Sequence, residues 1–416
     1  MNNIDVDVLI IGSGPSGCVS AAYLHKKGIN VKIVEKAIFP RFVIGESLLP
    51  KCMEHFEEVG LLETLKKQNF EIKRGARFIK NNQVCNFDFS KKFTEGWNWT
   101  WQVPRADFDK TLTDELEKKG VDISFNTEVI NVSFYDEHTE TTLVKEGKTH
   151  TVKAKYIIDA SGYGKVLPRL LKLQTPSKLS NHSAIFTHIK ETNRPKGEEG
   201  TIITFDILDT KTWFWVIPFS NGVTSIGFVG TTEYINSIEG ETGEEKMKNL
   251  LKTSKYYHDR FKNEQFLFPP KTINNYASSI TKMYGDKFVI TGNSAEFLDP
   301  VFSSGVTFAT ESGLLAAKLV YKELSNTTVD WDTEYVAYMK NGINVFSTYV
   351  KEWYNGNLQK LFFHEPENPE IKRQICAVLA GYVWDKENPF VKKHNRLVKN
   401  LAYLIDMENE QKKSES

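Results

Sequence analysis

Residues 6–17 read VDVLIIGSGPSG, and the reading of this stretch decides the fold. Val6–Ile11 is an apolar, largely β-branched run, the composition of a parallel strand buried on both faces. Gly12, Gly14 and Gly17 follow in the order G-x-G-x-x-G. The next segment, CVSAAYLHKKG, predicts a helix that stops at Gly28. INVKIVEK predicts a second strand ending at Glu35, 23 residues beyond Gly12. The glycines let backbone approach a pyrophosphate. The helix N-terminus offers N–H groups and the positive end of its dipole, and the acid accepts from ribose hydroxyls. A lone glycine motif says little. Strand, glycines, helix, strand and acid in this order predict a Rossmann-like dinucleotide site using Gly12, Ser13, Gly14, Ser16, Gly17, Glu35 and Lys36.

Outward from this unit, the chain departs from a simple NAD domain. KAIFPRFVIGESLLP (36–50) puts Arg41, Gly45, Glu46 and Ser47 in a polar turn ahead of a helical stretch, KCMEHFEEVGLLETLKK. QVPRADFDKTLTDELEKKG sets Arg105 before a helix whose apolar positions Phe108, Leu112 and Leu116 recur every four residues. Alternating strands with turn signals fill 121–158, and YIIDASG follows at 156–162. Late in the chain, DKFVITGNSAEFLDPVFSSGVTFATESGLLAAKL reads as a strand, a loop containing Asp299, and an amphipathic helix over 306–323. Binding elements from three distant segments imply a long, extended cofactor. No second G-x-G-x-x-G follows a later strand, so a nicotinamide Rossmann site is not expected.

Composition narrows the classes. Lys+Arg and Asp+Glu both number 53, and zero net charge lacks the basic footprint of a nucleic-acid binder. No run of about 18 apolar residues predicts a membrane span. The N-terminus carries acids where a secretory signal carries bases, and the four cysteines are scattered without metal-ligand spacing, so a reducing cytoplasm is the expected compartment.

The second informative stretch is TWFWVIPFS (212–220), which contains W-x-W-x-I-P at Trp213, Trp215, Ile217 and Pro218. PRFVIGESLLP (40–50), FEIKRGARF (70–78), FLDPVFSSGV (297–306) and VLAGYVWDKENPF (378–390) accompany it. Together they resemble the phenolic and pyrrolic branch of the flavin-dependent halogenases, within the two-domain FAD monooxygenase-like flavoproteins, over nearly the whole chain. Tryptophan halogenases carry Glu where this chain has Phe302, and hydroxylating relatives carry Asp where it has Asn293.

The resemblance implies FAD, used as FADH2, and chloride or bromide as co-substrate. A flavin C4a-hydroperoxide would oxidise the halide to hypohalous acid, which halogenates an electron-rich aromatic compound in natural-product biosynthesis. A separate flavin reductase would supply FADH2, and the substrate would be free or tethered to a carrier protein. The matched motifs imply cofactor contacts from Arg41, Ser47, Arg105, Asp299 and Val306, halide held by the backbone of Ser304 and Gly305, and Lys73 as the catalytic lysine. Lys73 would either hydrogen-bond hypohalous acid or form a chloramine. The latter needs a neutral amine, which about one Lys in 2,500 supplies at pH 7 with the ordinary pKa of about 10.4. Strand alternation puts Trp213 and Trp215 on one face, where they would either pack in the core or, as the resemblance implies, form a wall between flavin and substrate. His55, His182, His188 and His364 are candidates for a base only by type, and packing or surface roles are favoured. An aromatic hydroxylase or prenyl-type reductase of the same fold, and a non-catalytic flavin-binding accessory protein, stand as alternatives.

The expected fold is α/β: a discontinuous FAD-binding Rossmann-like domain, a mixed β-sheet substrate domain and a C-terminal helical region. The expected boundaries are 1–175 (with inserted segments) and 275–325 for FAD, 176–274 for the substrate-side sheet, and 326–416 for the helices.

Overall fold

A computed structural model describes residues 4–177 and 181–414. The Val6–Ile11 strand lies at the centre of the first sheet, parallel to Val31–Val34 on one side and to Lys148–Asp159 on the other. Asp122–Ser124 and Phe288–Ile290 extend the parallel set outward, and Thr127–Phe134 with Thr139–Lys145 form an antiparallel hairpin against Lys148–Asp159. The centre strand is buried at five of its six positions, as its apolar run requires. Helix Pro15–Lys26 follows the glycine turn, and helix Gly305–Leu324 returns to pack on it, with Ser20 Oγ donating to Gly313 O at 2.9 Å.

The second sheet has seven strands, in the order Lys271–Asn274, His182–Lys190, Val223–Thr231, Trp213–Pro218, Thr204–Ile207, Gly75–Lys80 and Gln83–Asp88. The last two precede residue 175 in the chain, yet pair here, Gly75–Lys80 running parallel to Thr204–Ile207. In residues 200–208, GTIITFDIL, the strand covers Thr204–Ile207, and a 3-10 turn at Gly197–Gly200 precedes it. Gly60, at a φ of +72°, interrupts the expected 51–67 helix, leaving Lys51–Glu58 and Leu62–Lys66. From Trp331 onward helices dominate, up to His394–Ser414. Among the described residues no helix is long and apolar enough to cross a membrane.

Period-2 alternation sorts the Trp213–Pro218 strand as the sequence predicts. Trp213, Trp215 and Ile217 join the main core, while Phe214 and Val216 face a cluster behind the sheet with Ile185, Phe228 and Tyr257. Gly227 sits opposite Trp215, whose indole fills the place of a side chain: a Cβ at 227 would lie 2.3 Å from Trp215 Cζ2. Gly227→Ala should therefore cost about 1–3 kcal/mol by overpacking, seen as a lower denaturant midpoint with unchanged slope.

Candidate active site

A cavity of about 710 Å³ is lined by both sheets and by the start of helix Gly305–Leu324, a size that suits a cofactor or small-molecule site. At the glycine turn, Gly12 has a φ of +97°, and a Cβ there would meet Ala160 O at 2.6 Å. Gly14 is the N-cap of helix Pro15–Lys26 and no side chain caps that end, so its first N–H groups stay available to an anion. Glu35 is fixed by this turn, accepting from Ser13 N at 2.9 Å, Ser13 Oγ at 3.2 Å and Ala37 N at 2.9 Å. Gly12, Gly14, Ser16, Glu35 and Lys36 all border the cavity. The Lys36 side chain is 72% exposed and its ammonium pairs with Glu128 at 2.7 Å. Ser16 Oγ donates to Thr291 Oγ1 at 2.8 Å, joining the glycine turn to the late strand.

Two cations stand over the next part of the wall, and one buried carboxylate orients both. Asp109 receives Arg105 in a bidentate contact, at 2.8 and 2.9 Å, and Arg41 Nη1 at 3.0 Å. Arg105 also donates to the carbonyls of Ile44 and Gly45, both at 3.3 Å, which ties down the 41–47 turn. The i, i+4 spacing of Arg105 and Asp109 on one helix was the sequence signal for this holder.

The late segment supplies Asn293, Asp299, Ser303, Ser304, Gly305 and Val306 to the wall. Ser303 is left-handed (φ +56°) and Ser304 right-handed (φ −77°). That alternation is a backbone nest, whose successive N–H groups converge on an anion-sized hollow. Ser304 and Gly305 are also the N-cap and first residue of a helix with no side-chain cap, so their amides have no intrahelical acceptor. Phe302 is buried against Phe346, Tyr349 and Trp353.

Asp299 lines the cavity and also has partners within the protein. Its carboxylate accepts from Tyr276 OH at 2.7 Å, Tyr354 OH at 3.0 Å and Val301 N at 3.0 Å. Burial pushes its pKa up, and these donors work in the opposite direction. Trp213 Nε1 donates to the same Tyr354 OH at 3.1 Å. Asp299 thus also anchors the indole through Tyr354. Trp213, Trp215 and Ile217 line the cavity with Phe186 and Phe205.

Lys73 lies behind the wall and is 3% exposed. Its Nζ donates to Ser47 Oγ at 2.8 Å and Leu48 O at 2.9 Å. Ser47 itself lines the cavity, so one residue separates amine from cavity. Burial pushes the Lys73 pKa down to about 7, opposed by the neighbouring Cys52. Lys73 pairs with Thr100 in a short antiparallel ladder, and its side chain is buried.

Sequence reasoning named His188 only by type and did not find its contact with Glu46, Nε2 to Oε1 at 2.5 Å, and it missed Tyr354, on helix Tyr338–Tyr354. No local spacing encodes either pairing.

The family model for the FAD binding domain matches residues 5–330. The chain is 31% identical over 412 residues to a 1H-pyrrole-2-carbonyl peptidyl-carrier-protein chlorinase of Pseudomonas fluorescens, covering 92% of this chain and 91% of that protein. It is 29% identical over 400 residues to the corresponding brominase of Pseudoalteromonas luteoviolacea, covering 92% and 93%. Among solved structures, a flavoprotein/dehydrogenase of Cytophaga hutchinsonii is 50% identical with a TM-score of 0.95, covering 97% of this chain and 99% of that one.

Proposed function

The chain belongs to the flavin-dependent halogenases, FAD-binding oxidoreductases that halogenate aromatic compounds, and from that premise we propose that it chlorinates or brominates a phenol, resorcinol or pyrrole with Lys73 as the halogenating amine. When bound, reduced FAD would activate O2, which would be the oxidant that converts halide to hypohalous acid. The uncapped turn at Gly14 would hold the pyrophosphate, Glu35 a ribose, and Arg41, Ser47, Arg105 and Val306 the rest of the cofactor. The amides of Ser304 and Gly305 would hold chloride or bromide in their nest. Trp213 and Trp215 would keep the organic ring apart from the flavin. A separate reductase would deliver FADH2. The carrier-bound pyrroles named for the two bacterial relatives make a carrier-tethered substrate the first to test.

The observation that carries this reading is the state of Lys73. A neutral amine has two N–H groups and a lone pair. Both N–H groups have acceptors here, in Ser47 and Leu48, which leaves the lone pair as the reactive feature. With a pKa of about 7 the amine is about half neutral at pH 7. Hypohalous acid and the amine would give an N-halamine and water. Transfer of the halogen to the ring would return the amine, its new proton coming from the ring carbon. The ammonium alternative, hydrogen-bonding hypohalous acid, works in the opposite pH range.

The test is FADH2, O2 and bromide with a phenol and with a carrier-bound pyrrole, read by the halogen isotope pattern of the product. Hydroxylated ring without halogen would reject the reading, as would substrate oxidation without halide, the outcome the name dehydrogenase implies. Halogen transfer should rise with pH through a midpoint near 7, because the neutral amine reacts; a rate that falls through the same midpoint would assign the ammonium.

A further inference from the structure

Oxidising a halide inside a cavity creates a proton demand. In the halogenation proposed above, one ring C–H, one FADH2, one O2, one halide ion and one proton give one ring C–halogen bond, FAD and two waters. The halide enters as an anion and ends as covalent halogen, so each turnover takes one net proton from solvent. Hypohalous acid also has to be made away from bulk water, so that proton needs a route through side chains.

Glu46 lines the cavity between Gly45 and Ser47, and its side chain is 1% exposed. Its backbone is pinned, with Val103 N donating to Glu46 O at 2.7 Å. Oε1 meets His188 Nε2 at 2.5 Å, whereas Oε2 is buried with no hydrogen-bond partner among the described residues. Leaving a buried carboxyl oxygen unsatisfied is costly, and a purely structural acid would use both. His188 stands on the His182–Lys190 strand, and its side chain keeps 13% exposure. Phe42, Phe219 and Phe268 surround its ring at 5.5, 5.5 and 5.1 Å. The charged groups nearby include Arg105, which donates to the carbonyl of the adjacent Gly45, and Lys271, whose ammonium lies 5.0 and 5.4 Å over the rings of Phe42 and Phe268. Glu46 stands at the cavity wall with one carboxyl oxygen on a partly exposed imidazole, and so lies between the two environments.

We propose that His188 and Glu46 are the proton relay of this site, an assignment that rests on the halogenase reading. The imidazole takes a proton from solvent and passes it across the contact to Glu46, which releases it from its carboxyl group into the cavity as halide is oxidised. Glu46→Gln and His188→Gly, made in the full chain and loaded with FAD, test this with a phenol, bromide, FADH2 and O2. Both should lower halogenation turnover by roughly 100-fold, the scale of a lost proton donor, with FAD affinity held. Added imidazole should restore His188→Gly, which a packing role would not allow, and Glu46→Asp should exceed Glu46→Gln. Turnover within twofold of the wild type in both variants, or His188→Gly unmoved by imidazole, would overturn the relay alone. A wild-type protein that halogenates nothing would overturn the halogenase reading itself, and the relay with it.

Discussion

Lys73→Ala should abolish product halogenation, by about three orders of magnitude or more, while FAD remains bound and reduced flavin is still oxidised by O2. The size follows from what is removed. A positioned acid–base group contributes typically 10²–10⁴-fold, and the amine here is a Lys nitrogen buried one residue from the cavity wall. The selectivity follows from where it is removed. The Lys73 strand, Glu71–Lys73, pairs only with Thr100–Gln102 and belongs to neither large sheet, so losing the side chain leaves the glycine turn, Glu35 and the two arginines in place. Lys73→Met separates chemistry from folding. The wild type carries a depressed lysine pKa, about 7 in the folded state against an unfolded value of about 10.4. Its folded state therefore binds fewer protons there, and this contribution to stability is fully present above pH 10.4 and is lost as pH falls toward 7. Met cannot ionise, so Lys73→Met should be as inactive as Lys73→Ala yet lack this loss of stability between pH 9 and 7 in urea titrations. Substantial halogenation by either variant would remove the amine from the chemistry.

The parts of this site that were legible in the sequence are those encoded locally. The glycine turn, its helix and Glu35 fall within thirty residues and are set by backbone sterics and the period of the strand, so they read directly from Val6 to Glu35. The face shared by Trp213 and Trp215 follows from alternation alone. The parts that were not legible depend on chain crossings. The ladder that sets Lys73 opposite Thr100 joins two separate segments. The Asp299–Tyr354 contact forms only when helix Tyr338–Tyr354 packs against the 297–306 loop. The seven-stranded sheet recruits Gly75–Lys80 across more than a hundred residues to Thr204–Ile207, and no local composition announces that pairing. Motif resemblance marked Lys73 for chemistry, but its burial and two acceptors emerge only from the fold.

Trp213→Ala should cost about 3–5 kcal/mol of stability and also uncouple flavin oxidation from halogenation. Trp213 is 1% exposed, touches the rings of Phe205 and Trp215 at 5.6 and 6.0 Å, and is tethered through Tyr354 to Asp299. Truncation therefore opens a void, and it takes a donor from the Tyr354 hydroxyl. If the paired indoles separate the oxidant's source from the ring it acts on, the void joins the two spaces. Halogen incorporated per FADH2 oxidised then falls several-fold, and hydroxylated ring or released peroxide makes up the difference. Stability loss alone could mimic part of this, so the decisive comparison is Phe214→Ala on the same strand. Phe214 is equally buried and stacks on Phe228 at 4.2 Å, but it faces the cluster behind the sheet. It should lose a similar 3–5 kcal/mol with coupling unchanged. Trp213→Phe, which keeps an aromatic ring and removes the indole N–H, should sit between wild type and Trp213→Ala in both readouts. Equal uncoupling in Trp213→Ala and Phe214→Ala would mean that the indoles serve packing, and that water and oxidant are kept apart by some other part of the wall.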